Sequence, residues 1–143
     1  MTSLFKTFGR SRIVAAAMIG SIAAFGAVYK ATAQEGPEHL VFSTQLPNVP
    51  GKSLTAVVVK YGPGEKSPEH HHAGSVFAFV LSGEIRSENS ATGPAKIYKA
   101  GEAFFEPPGS THSISENASA TEPASLLAIF VADDGATLTS PGQ

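Results

Sequence analysis

Two places in the chain gather side chains that can hold a metal. His70-His71-His72 stand in a row, and His112 follows forty positions later, with the carboxylate of Glu106 six positions before it. Neutral imidazole is the commonest protein ligand for divalent transition metals. On an extended strand successive side chains alternate faces, so His70 and His72 point together and His71 points away. The segment Glu106-Pro107-Pro108-Gly109-Ser110-Thr111 reads as a tight turn that joins two antiparallel strands and returns His112 to the same interior. If those strands pair, Glu106 and His112 are directly opposed and share a face. Glu106 is then a fourth ligand or a group that accepts a proton from substrate beside the metal. The bland reading makes it a solvated strand-end residue.

The other candidates have plainer expectations. His71 is a solvated bystander, His39 an ordinary surface residue, and Glu69 a solubilising neighbour of the ligand strand. Tyr61, Phe77, Phe79, Phe104 and Phe105 read as core. The histidine run alone would be a surface patch that binds metal adventitiously. There is no cysteine among the 143 residues, which excludes thiolate chemistry and disulfides. No Ser-His-Asp arrangement or phosphate-cradling loop follows from spacing.

The elements that must position these groups are strands. Apolar runs at His39–Thr44, Leu54–Tyr61, Val76–Leu81, Glu84–Ser87, Ala95–Tyr98, Glu102–Glu106, His112–Ser115 and Ser125–Val131 are punctuated by Gly, Pro, Asn and Ser. Many short strands at this spacing predict an all-β sandwich or barrel. In the run from Val76, residues Val76, Ala78 and Val80 share one face and Phe77, Phe79 and Leu81 the other. Both faces are apolar, so both require cover. A second copy of the chain is one source of it, which makes a homodimer an expected partner.

The chain divides into residues 1–33, a leader; 34–52, an N-terminal arm; 53–132, the barrel; and 133–143, a loose polar tail. Lys6, Arg10 and Arg12 precede an apolar, alanine-rich stretch ending at Ala31-Thr32-Ala33. That is the pattern of an export signal cut after Ala33, with an uncleaved membrane anchor as the alternative. The expected location is periplasmic or secreted, with no stable membrane association after cleavage. Four of the ten Lys and Arg leave with the leader and all twelve acids stay, moving the net charge from −2 to −6. A moderately acidic domain with no basic patch argues against nucleic acid or anionic lipid as partners.

The two histidine segments resemble the two motifs of the cupin superfamily. The first, G-x5-H-x-H-x3,4-E-x6-G, is matched by Gly64, His70, His72 and Gly83, with Val76 where the glutamate stands. The second, G-x5-P-x-G-x2-H-x3-N, is matched by Gly101, Pro107, Gly109 and His112. Glu116 occupies the asparagine place, and Asn117 falls one residue late. The resemblance runs from about Leu54 to Val131. It implies a double-stranded β-helix, a small conical barrel or jelly roll, with His70, His72 and His112 as metal ligands.

Replacing the motif glutamate by Val76 leaves three neutral imidazoles, a more positive site that favours an anionic, chelating substrate. The expected cofactor is one divalent transition metal, Fe foremost, with Mn, Ni, Cu or Zn as alternatives. The expected function is an exported mononuclear cupin with dioxygenase-like chemistry on a small oxygen-chelating acid. A non-catalytic ligand-binding or sensory cupin, or a metal-free degenerate one, is the alternative.

Overall fold

The computed structural model describes residues 37–142. The leader and its cleavage point lie outside the described residues. Among those described, no helix is long and apolar enough to cross a membrane. The chain forms strands β1 (Glu38–Gln45), β2 (Lys52–Tyr61), β3 (Lys66–Ser67), β4 (His70–His72), β5 (Ser75–Ser82) and β6 (Glu84–Asn89). It continues through β7 (Gly93–Lys99), β8 (Ala103–Glu106), β9 (Thr111–Asn117), β10 (Ala124–Asp133) and β11 (Thr139–Pro141).

These strands build two antiparallel sheets. One runs β1-β2-β10-β5-β8; the other runs β11-β4-β9-β6-β7, with β3 added along β9. The all-β expectation holds, and the double-stranded β-helix with it. Strands β5, β8 and β10 of the first sheet alternate, each burying one face, while β1 is exposed along its length. Val76, Ala78 and Val80 of β5 meet Leu126, Ala128 and Phe130 of β10, together with Ile85 and Phe104, in one core. Burying an aliphatic or aromatic side chain of this kind contributes about 1.5–3 kcal/mol, which is what holds the sheets face to face.

Among the described residues, the opposite face of β5 is left largely open. Phe77 and Phe105 are cross-strand partners on it and are 45% and 49% exposed. They are outer-surface residues and not core, a correction to the expectation. Phe104, in contrast, is buried.

Two further corrections concern the connections. The Pro107–Ser110 loop does not join paired strands. β8 pairs with β5 in one sheet and β9 with β4 and β6 in the other, so the loop carries the chain between sheets. Its tight path needs Gly109 at φ +72°, a left-handed conformation that glycine adopts without steric cost. The second correction is the tail. Thr139–Pro141 pairs with His70–His72 as an edge strand, and the Gly142 N–H donates to the Glu69 carbonyl at 2.9 Å. Strands β3, β4 and β11 are two or three residues long and mostly polar, so they carry too little apolar alternation to stand out in sequence.

Strand β9 holds an irregularity that explains a motif. Glu88 faces Ile114 but Asn89 faces His112, leaving Ser113 as an extra residue on β9. Such a β-bulge shifts the side-chain alternation by one position. His112, Ser115 and Asn117 are accordingly all buried. The bulge thus turns Asn117, one residue later than the motif spacing, toward the interior. Asn117 clamps the neighbouring loops, its Nδ2 donating to the carbonyls of Gly62 at 2.9 Å and Glu122 at 2.7 Å.

Candidate metal centre

β4 and β9 bring the histidines together by pairing His70 directly with His112. One ring nitrogen from each of His70, His72 and His112 can lie within 4.8 Å of the others. His71 takes the other side of the strand, near Thr111 Oγ1 at 3.3 Å, and stays out of the cluster.

The remaining ring nitrogens are spoken for. His70 Nδ1 lies 2.7 Å from the Pro68 carbonyl. His72 Nδ1 lies 3.2 Å from the Leu138 carbonyl and 3.3 Å from Thr139 Oγ1. An Nδ1–H given to a carbonyl fixes the tautomer and leaves the Nε2 lone pair free, the usual outer support of a metal-bound histidine. His112 is turned differently. Its Nε2 lies 2.9 Å from Ser87 Oγ, while its Nδ1 is buried without an aligned hydrogen bond. A buried, unpartnered imidazole nitrogen beside two oriented imidazoles is the donor set a divalent transition metal takes.

Glu106 joins them from the other sheet. Its Oε1 lies 3.1 Å from His112 Nδ1, off the line of an aligned hydrogen bond, and its Oε2 lies 3.7 Å from His72 Nε2. Asn89 Nδ2 donates to Oε2 at 3.2 Å and to Ser110 Oγ at 2.9 Å. Ser110 Oγ in turn donates to the Pro107 carbonyl at 2.6 Å. The carboxyl is buried, not solvated.

The electrostatics follow from burial and proximity. Burial lowers the pKa of His72, outweighing the pull of Glu106, so the ring stays neutral and able to ligate. Burial pushes Glu106 up, but the contact with His112, and then the electrostatic influence of the neighbouring His72 and His70 imidazoles, more than offset it. Its pKa ends below the ordinary carboxylate value.

These groups line a cavity of about 540 Å³ between the sheets. Val57, Val59, Phe104, Leu126 and Phe130 make most of its wall apolar, and Thr139–Pro141 contribute to one side. Tyr61 also faces in. Its hydroxyl lies 2.9 Å from Ser67 Oγ and 2.8 Å from Ser115 Oγ, and burial raises its pKa. It is more than core, giving the apolar cavity a hydroxyl cluster. Its polar tip, on a strand whose inward neighbours are valines, was the signal for that. Ser87, Asn89 and Ser110 had none, because only the stacking of the two sheets brings them to the site.

Residues 57–130 match the family model described as a cupin domain. The chain belongs to the cupin family. This cupin is similar to the DMSP lyase DddQ from Ruegeria pomeroyi DSS-3 at 25% identity, with a TM-score of 0.53 over 62% of this chain and 42% of that one. It therefore spans less than half the length of that lyase. An uncharacterised conserved protein with a double-stranded β-helix domain from Klebsiella pneumoniae shares 23% identity. It aligns with a TM-score of 0.57 over 76% of this cupin and 87% of its own chain. No curated protein sequence matches.

Proposed function

We propose that this cupin is an exported mononuclear metalloprotein in which His70, His72 and His112 hold one divalent transition metal and present it to a small oxygen-chelating acid. The observation that carries this reading is the convergence of the three imidazoles on an apolar cavity, with His112 Nδ1 buried and lacking an aligned partner. Three histidine ligands would leave positions open on the metal, which when bound would supply Lewis-acid polarisation of substrate oxygens, or with iron a site for O₂. The chain's own residues do the rest. The valines, Phe104, Leu126 and Phe130 exclude water from the substrate body. The carbonyls of Pro68 and Leu138 keep His70 and His72 in their ligating tautomers.

Iron-dependent, dioxygenase-like turnover of a β-dicarbonyl or hydroxylated aromatic acid is the principal form of this reading. A lyase reaction is the second, favoured by the likeness to the DMSP lyase and by a buried carboxylate placed to accept a proton. The basic leader and its Ala31-Thr32-Ala33 ending support export. The exposed apolar pair Phe77 and Phe105, with Phe42 of β1 on the same face of the sheet, supports pairing of two copies.

Elemental analysis of the purified protein is expected to find one metal per chain, lost in the double variant His70→Ala/His112→Ala. Unchanged metal content in that variant would sink the proposed site. Oxygen uptake by the Fe(II)-loaded protein over a panel of chelating acids tests the first form, and substrate loss under anaerobic conditions tests the second. Metal binding with no turnover in either assay would mark a binding or sensory cupin.

A further inference from the structure

The motif glutamate is missing at Val76, and the residue directly opposite Val76 across the β5–β8 pair is Glu106. Directly opposed residues of an antiparallel pair share a face, with Cβ atoms about 4.5–5.5 Å apart. Val76 is 1% exposed and Glu106 2%, and both line the cavity. A side chain at either position therefore enters the same space. Glu106, the longer of the two, reaches to 3.1 Å from His112 Nδ1 and 3.7 Å from His72 Nε2.

We infer that Glu106 supplies the fourth metal ligand, a carboxylate transposed across one strand pair from the position where the cupin motif carries it. The inference rests on the reading that the three histidines hold a metal. Its support is an imbalance at the carboxylate. An ion this deeply buried is costly unless cations or hydrogen bonds satisfy its lone pairs. Among the described residues Glu106 accepts one aligned hydrogen bond, from Asn89. Oε1 points at His112 Nδ1, itself without an aligned partner. A buried carboxylate oxygen and a buried imidazole nitrogen 3.1 Å apart, with no aligned hydrogen bond between them, are a pair that a cation bound to both would satisfy once the ring nitrogen is unprotonated. Asn89, anchored through Ser110 to the Pro107 carbonyl, holds the carboxylate in that direction.

The transposition changes the expected charge of the site. Three imidazoles and a carboxylate leave a divalent metal with one net positive charge instead of two. That balances a monoanionic bidentate chelator, such as a β-diketonate or a monocarboxylate with one neighbouring oxygen donor. A dianion would be left over-charged in an apolar cavity.

The test is Co(II) binding to metal-free protein, read by chelator competition and by the visible ligand-field spectrum. Glu106→Gln keeps the shape and removes the charge. It is expected to weaken Co(II) by at least about 10- to 100-fold, the loss that even an outer-shell partner produces, and to change the spectrum. The double variant Val76→Glu/Glu106→Val returns the carboxylate to its motif position and is expected to recover most of the lost affinity. Unchanged affinity and spectrum in Glu106→Gln, with binding abolished in His112→Ala, would overturn this inference and leave the three-histidine site standing. No Co(II) binding by the unmodified protein would overturn both. If the double variant fails to fold, judged by circular dichroism, the Glu106→Gln comparison decides alone.

Discussion

The carbonyl oxygen of Leu138 lies 3.2 Å from Nδ1 of His72, joining the segment after the barrel to a ring of the histidine cluster. The same segment pairs as β11 with all three residues of β4. A chain ending at Gly135 removes this support and the Thr139 hydroxyl while leaving His70 and His112 with their own partners. Metal affinity is expected to fall about 10- to 100-fold, as for other outer-sphere losses, measured by chelator competition. An unaltered affinity would reduce β11 to a cover strand.

Replacing Tyr61 with Phe removes the hydroxyl that meets both Ser67 and Ser115. Ser115 is buried and would be left without that partner. The expected loss is about 1–3 kcal/mol in urea unfolding, with metal content unchanged. A fall in metal content would place Tyr61 closer to the metal than its hydrogen bonds indicate.

Gly74 sits where β4 hands over to β5, against the other end of β10. A methyl group there would strike the Val131 carbonyl oxygen and come within 2.8 Å of Ala132. Backbone cannot yield as a flexible side chain can, so Gly74→Ala is expected to destabilise the fold by about 1–3 kcal/mol. Because the same junction aims His72, a weaker metal site should accompany it. Thermal unfolding and chelator competition on one sample check both.

The metal-free protein should lose stability on acidification in two stages. His72 has a folded pKa below its ordinary value, so the unfolded chain takes up the proton more readily. Stability is full above about pH 6.5 and declines as the pH falls from there through the depressed folded value. Glu106 is also depressed. Its contribution is present above the ordinary carboxylate pKa and disappears as the pH drops through the lower folded one. Chemical unfolding of apo protein from pH 8 to 3 measures this, and Glu106→Gln should remove the second stage. A flat profile would contradict both shifts.

Most of the site was readable because its determinants are local. The spacing His70-x-His72 survives any fold that makes β4 extended, and Gly101, Pro107 and Gly109 mark turns whose geometry those residue types require. Glu106 was identified through an expected hairpin that does not exist; it reaches His112 because two sheets face each other, not because β8 and β9 pair. Asn117 looked displaced because a bulge at Ser113 leaves no compositional trace. The Leu138 carbonyl was out of reach altogether, since a backbone group has no sequence identity and its pairing depends on a three-residue strand.

The three histidines stand on one sheet, on β4 and β9, while Glu106 stands on the other, on β8. An ion gripped by all four acts as a rivet through the barrel, fastening two layers that otherwise adhere by apolar contact and a few hydrogen bonds, such as Tyr61 to Ser115 and Asn89 to Glu106. Loading and unloading are then mechanical events as well as chemical ones. At a free metal concentration a hundred times the Kd the rivet adds about 2.7 kcal/mol against unfolding. The edge strand β8, which carries Glu106, should be the first to work loose when the ion is withdrawn.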